Sequence, residues 1–251
     1  MKFSANLGFL WADRPLPDAI RAAKEAGFDA VECHWPYNVP AEDTRSALVE
    51  TGLKMLGLNT SRGDVAAGEN GLSSLPGREA DARAAIDEAI QYATAIDAQN
   101  IHVMAGFSDG AVAHDAFVGN LRYACEAAAS HDLTILIEPL NAHDAPGYFL
   151  KTADHAAQVI QDVGLPNLRL MFDCYHIGRT EGDVLSSLKK HLRIVGHIQF
   201  AAVPSRGAPD HGDVDYPLLF RQIAALGWDK PLGAEYKPAG PTEASLAWLK
   251  G

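Results

Sequence analysis

The feature that most constrains this chain is an alternation, repeated from end to end, of a short apolar run with a stretch of helical periodicity. The first apolar run, Phe3 to Phe9, is followed by L-P-D-A-I-R-A-A-K-E-A-G, in which Ile20, Ala23 and Ala26 share one helical face and Gly27 supplies a stop. The same reading predicts strand 29–35 with helix 41–51, strand 53–59 with helix 78–97, strand 100–105 with helix 114–131, and strand 133–139 with helix 151–163. It continues with strand 168–174 and helix 182–192, strand 194–200 and helix 216–226, then strand 231–236 and a terminal helix from about Thr242. Eight strand-helix units in a chain of this length are the inventory of a closed (β/α)8 barrel, the TIM barrel of the α/β class. An open doubly wound sheet uses fewer units or adds a second domain, and no G-x-G-x-x-G follows the first strand.

Composition agrees with one domain over 1–251. The chain is 47% hydrophobic, and no Pro/Ser-rich linker or shift in composition divides it. A formal net charge of −11 offers no basic stripe to nucleic acid or to an anionic membrane, so a small-molecule substrate is the expected partner. Cys33, Cys125 and Cys174 are odd in number, far apart and outside any C-x-x-C pair, which suits reduced thiols and a cytoplasmic location. The N-terminal apolar stretch is short and interrupted by Ser4 and Asn6, so it predicts neither a cleaved signal nor a membrane span. Trp11, Trp35, Trp228 and Trp248 are candidates for an interface between copies of the chain, or for internal packing.

Four polar residues, Glu138, Asp173, Gln199 and Glu235, each close a predicted strand. Parallel barrel strands all point the same way, so their ends meet on one rim. Alternation puts Glu138 on the face of Leu136 and Thr134, Asp173 with Met171, Gln199 with His197, and Glu235 with Gly233, all inward. A buried carboxylate without a partner costs several kcal/mol, so three of them in one barrel mouth call for a compensating cation. Three carboxylates and an amide form an oxygen cage suited to Mg²⁺ or Mn²⁺ rather than Zn²⁺. Taken singly each is an ordinary polar strand terminus, and Arg206 or Lys237 could supply the positive charge instead.

Other candidates surround this set. His176, in D-C-Y-H, is expected above the same rim, within reach of a substrate oxygen. His102 and His197 are inward by alternation, although an interior histidine is more often a satisfied core residue. Arg206, in the loop after the seventh strand, has the planar fork that suits a substrate carboxylate; a solvated loop arginine is the competing reading. The Gly-rich segment after strand three is either a cover over the site or a loose surface excursion. Asn59 could donate to substrate, and Glu32, beside W-P-Y, is expected inside the barrel as a structural hydrogen-bonding group.

The runs G-D-V-A-A-G-E-N-G-L-S-S-L-P-G-R-E at 63–79, I-H-V-M-A-G at 101–106, I-E-P-L-N at 137–141, F-D-C-Y-H at 172–176, H-I-Q-F-A at 197–201 and E-Y-K-P at 235–238 resemble the hydroxypyruvate isomerase family, within the xylose isomerase-like barrels. The resemblance covers nearly the whole chain. It implies Glu138, Asp173, Gln199 and Glu235 as metal ligands and Glu138 with Glu235 as the acid/base pair. The chain departs from the family at P-S-R-G-A-P, which keeps Arg206 but has Gly207 and Ala208 where His and Glu are usual, and at Val65, where an aromatic is common. These departures bear on substrate identity more than on reaction type.

The expected reaction is a metal-assisted 1,2-proton transfer through an enediolate, interconverting an α-hydroxy ketone and an α-hydroxy aldehyde, with hydroxypyruvate or a related 2-oxo acid as substrate. Ketose C3 epimerisation would use the same two glutamates. A DNA-repair barrel would need a His-rich multi-zinc site and a basic face, and a non-catalytic ligand-binding barrel is the remaining alternative.

Overall fold

The computed structural model describes residues 1–250, and in it the predicted alternation closes into a barrel. The strands are β1 (Phe3–Asn6), β2 (Ala30–Glu32), β3 (Lys54–Met55), β4 (Gly57–Asn59), β5 (Asn100–His102), β6 (Thr134–Ile137), β7 (Leu168–Asp173), β8 (Val195–Phe200) and β9 (Leu232–Ala234). The helices between them are α1 (Leu16–Ala26), α2 (Ala41–Thr51), α3 (Glu79–Ile96), α4 (Gly110–Ala128), α5 (Ala153–Val163), α6 (Cys174–Thr180), α7 (Val184–His191) and α8 (Tyr216–Ala225). Every strand pairing is parallel, and β1 lies between β2 and β9. β3 and β4 are one barrel strand interrupted at Leu56: β3 pairs with β2, and β4 with β5. Hydrogen bonds from Leu56 N to Val31 O and from Cys33 N to Gly57 O carry the ladder across the break. The nine segments are therefore the eight predicted strands.

Between sheet and helices lies the apolar core. Ile137, Phe172, Ile198 and Ala234, the outward members of their strands, are fully buried in it. Inside the barrel the chain places polar groups instead: Ser4, Asn6, Glu32, His102, His197 and Gln199 are all buried. A bulge between Leu170 and Met171 on one side and Val195 and His197 on the other makes Gly196 the extra residue, and its missing Cβ leaves room for Arg169 and Leu136.

Several predicted boundaries move. The first strand ends at Asn6 rather than Phe9, because Phe9 and Leu10 N donate back to Asn6 O in a turn. The predicted terminal helix is replaced by two 3₁₀ turns, Thr242–Ser245 and Ala247–Lys250. Tertiary contacts hold that segment: Glu243 accepts from Trp11 Nε1 and Arg14, while the Trp248 ring packs against Phe3, Phe28 and Phe200. Helix α6, which the sequence reading passed over, begins directly after Asp173, and Gly182 at φ 82° separates it from α7. Trp11 and Trp248 thus pack internally, and Trp35 donates from Nε1 to Thr60 O. Among the described residues no helix is long and apolar enough to cross a membrane.

Candidate active site at the barrel mouth

Glu138 and Glu235 follow β6 and β9 directly, Asp173 ends β7, and Gln199 is the penultimate residue of β8. All four are at least nine-tenths buried. Asp173 is at once strand end and helix cap: its Oδ1 accepts from Tyr175 N at 2.8 Å, which fixes the carboxyl and leaves Oδ2 free. Three buried oxygens on three neighbouring strands have no hydrogen-bond partner: Glu138 Oε1, Asp173 Oδ2 and Gln199 Oε1. Orphaned buried acceptors are costly, so these oxygens suit a positive or donating ligand.

Glu235 is differently surrounded. Its Oε1 accepts from Asn6 Nδ2 at 3.2 Å and contacts His34 Nε2 at 2.8 Å; its Oε2 accepts from the Arg206 guanidinium at 3.1 Å and keeps one lone pair. Against the upward pull of burial, Arg206 and His34 hold this carboxyl down at about 2. Burial and the charges of Glu235 and Asp173 push Glu138 well above the carboxylate range, and burial with the Glu235 charge takes Asp173 up to about 8. The mouth therefore contains one carboxylate already neutralised by an arginine and two that repel each other. The unpartnered oxygens of Glu138, Asp173 and Gln199 are all-oxygen donors of the kind that suits a hard divalent cation, whereas Glu235, held by Arg206, is not part of the group of Glu138 and Asp173 atoms that gathers within 4.8 Å.

A nitrogen of His176 also lies within 4.8 Å of one oxygen each of Glu138 and Asp173. Its hydrogen bonds argue against ligation in the neutral form. His176 Nδ1 accepts from Asn141 N at 3.0 Å and lies 2.7 Å from Asn141 Nδ2, so the ring proton sits on Nε2, which lies 3.7 Å from Asp173 Oδ2 and 4.0 Å from Glu138 Oε1, beyond hydrogen-bond reach of either. Burial, with the Arg206 charge, lowers its pKa to about 3 and keeps it neutral. His102, likewise lowered to about 3 by burial, lies 3.6 Å by Nδ1 from Glu138 Oε2, with neither ring nitrogen hydrogen-bonded.

Arg206 sits in the loop after β8 with φ 56°, a left-handed conformation that costs an L-residue roughly 1 kcal/mol. Its guanidinium lies between the rings of Phe9 and Tyr175, 4.9 and 5.0 Å from their centroids, and donates to Asp144 Oδ2 at 3.3 Å as well as to Glu235. Its Nε is buried without a partner. At Gly207 a Cβ would stand 3.1 Å from the His211 ring.

The other sequence candidates fall at the rim or below it. Lys237 is exposed, with Nζ 5.5 Å from the Phe9 ring centroid, so Arg206 is the cation that reaches the carboxylates. Asn59 ends β4, where its backbone O accepts from Tyr37 OH and its N donates to His34 O. Glu32 lies inside the barrel, accepting from Ser4, Gln199 and His197. The Gly-rich loop is held in place: Gly71 bridges to Ala105, Asp64 caps the turn Val65–Ala67, and Arg62 lies 3.9 Å from the Trp35 ring centroid.

Sequence reasoning missed Asn6, His34, Asn141, Asp144 and Tyr175. Asn6 was legible, since alternation from Ser4 turns it inward. His34 was not, because it reaches Glu235 only through the gap at Gly8, where a Cβ would stand 2.0 Å from His34 Nδ1.

This barrel, with acidic and amide groups at the C-terminal ends of its strands, belongs to a known class. A sequence model described as "Xylose isomerase-like TIM barrel" matches residues 20–251, and the chain is a member of that family. It is 44% identical to a 2-oxo-tetronate isomerase of Cupriavidus necator, over 99% of this chain and 97% of that protein. It is 36% identical to the hydroxypyruvate isomerase of Escherichia coli K12, over 99% and 98%. A crystal structure from Brucella melitensis titled as an AP endonuclease of family 2 superposes with a TM-score of 0.96 at 36% identity, covering 99% of this chain and 98% of that one.

Proposed function

We propose that this protein is an isomerase that interconverts a small 2-oxo hydroxy acid, hydroxypyruvate or a 2-oxo-tetronate, with its 2-hydroxy-3-oxo isomer by a 1,2-proton transfer. The observation that carries the reading is the pairing of three orphaned buried oxygens with an arginine whose Nε is buried and free. Glu138, Asp173, Gln199 and Glu235 would hold Mg²⁺ or Mn²⁺, which when bound acidifies the C–H between carbonyl and hydroxyl and stabilises the enediolate. Arg206 binds the substrate carboxylate, held for it by the two flanking rings and Asp144. His176 donates from Nε2 to a substrate oxygen, its tautomer fixed by Asn141. Glu138 and Glu235 remove the proton from the hydroxyl-bearing carbon and return it to the neighbouring carbon, while the hydroxyl proton passes to the former carbonyl oxygen; their environments pull the proton affinities of the two glutamates apart. His102, Asn59 and Lys237 complete the substrate surroundings.

Three buried free cysteines support a reducing, cytoplasmic setting, and the net charge of −11 disfavours a DNA substrate. The test is removal of metal by chelator, addition of Mg²⁺ and Mn²⁺ singly, and measurement of substrate C–H exchange in D₂O. Exchange should return with metal and be lost in Glu235→Gln; full activity of that variant, or no exchange with either metal, overturns the proposal.

A further inference from the structure

An amide is nearly symmetric in shape, so packing alone does not decide whether Gln199 presents its oxygen or its NH₂ to the barrel mouth. The group beneath it decides. Glu32, from β2, is buried, and as a carboxylate it only accepts. Its Oε2 receives Gln199 Nε2 at 2.8 Å and His197 Nε2 at 3.0 Å, and its Oε1 receives Ser4 Oγ at 3.0 Å. The three donors come from β1 and β8, on either side of β9, and Gly233 of β9 makes the space: a Cβ there would stand 2.1 Å from Glu32 Oε1. A reversed amide would set the Gln199 oxygen against Glu32 Oε2, acceptor on acceptor. With the NH₂ held downward, Gln199 Oε1 is left buried and unpartnered toward the mouth.

We infer that Glu32 is a positioning residue that locks the Gln199 amide with its oxygen outward, and so makes the fourth donor of the site an oxygen rather than an N–H. The inference rests on the reading of Gln199 as a metal ligand. Without Glu32, the amide gains by turning its NH₂ toward the carboxyls at the mouth, and the cation would meet a donor hydrogen instead of a lone pair.

The test compares the wild-type protein with Glu32→Gln, which keeps the shape but both donates and accepts, and with Glu32→Asp, which keeps the charge. The first readout needs no metal: the side-chain NH₂ signals of Gln199, assigned by their loss in Gln199→Met, are slow to exchange with solvent in the wild type and fast in Glu32→Gln. The second is Mn²⁺ affinity by titration calorimetry, expected to fall roughly 10- to 100-fold in Glu32→Gln and less in Glu32→Asp, the range typical of groups that orient a ligand. Should Glu32→Gln fail to fold, Ser4→Ala removes one donor from Glu32 and loosens the Gln199 signals to a smaller degree. Unchanged Gln199 signals and unchanged Mn²⁺ affinity in a folded variant overturn the inference. A wild-type protein with a locked amide that takes up no Mn²⁺ upholds the role of Glu32 in orienting the amide and instead defeats the metal reading.

Discussion

Replacing Arg206 by Met keeps a side chain of similar length between Phe9 and Tyr175 and removes the charge, so it separates what the arginine does for substrate from what it does for the fold. The guanidinium makes hydrogen bonds to Glu235 and Asp144, and its side chain is only 15% exposed. Losing the counter-charge of a buried carboxylate costs about 3 kcal/mol, near the low end for a broken buried pair because His34 and Asn6 still hold Glu235. For a domain of this size that is a fall in Tm of roughly 6–12 °C. A charge-assisted hydrogen bond to substrate contributes about 1.5–3 kcal/mol, so kcat/KM for hydroxypyruvate should fall about 10- to 150-fold. The assay is C–H exchange in D₂O, well below the melting range, on hydroxypyruvate and on hydroxyacetone, which keeps the ketol and lacks the carboxylate. The loss should be confined to hydroxypyruvate. Freed from Arg206, Glu235 gains proton affinity, so the acid limb of the rate profile should move to higher pH. Equal losses on both ketols, or a hydroxypyruvate rate within about threefold of wild type, would refute Arg206 as the carboxylate clamp.

Glu138→Gln removes the cost of keeping protonated in the fold a carboxyl that the unfolded chain ionises, so the metal-free protein should melt higher, by about 1 kcal/mol at pH 8, while exchange falls roughly 10²- to 10⁴-fold; a lower Tm would contradict the raised proton affinity. In chelator, stability should fall as pH rises from the ordinary carboxylate range toward about 8, because folded Glu138 and Asp173 keep protons that the unfolded chain has lost. Glu235 works the opposite way: its contribution is present above its unfolded value of 4.5 and lost toward about 2. Melting curves between pH 5 and 8.5 that stay level or climb would contradict this, and Mn²⁺ should flatten the decline. Gly8→Ala drives a Cβ against the His34 ring and should cost about tenfold in kcat, the loss of one charged hydrogen bond to Glu235; His34→Ala should match it, and the double variant should add nothing.

The sequence by itself determined the barrel and the depth at which its polar residues sit. Periodicities of two and 3.6 are local, so they can be read from neighbours along the chain, and strand alternation carries Glu138, Asp173, Gln199 and Glu235 inward without any knowledge of their partners. Helix ends were less legible where distant groups hold the backbone, as Trp11 and Arg14 hold Glu243. What only the tertiary structure decided is the state of each polar group. Arg206 neutralises Glu235 and leaves Glu138 Oε1 orphaned, Asn141 sets the His176 tautomer, and Glu32 takes the Gln199 NH₂. Charge and hydrogen-bond direction depend on atoms a few ångströms apart in space, contributed by strands far apart in the chain. No local pattern encodes which of two carboxylates an arginine will reach.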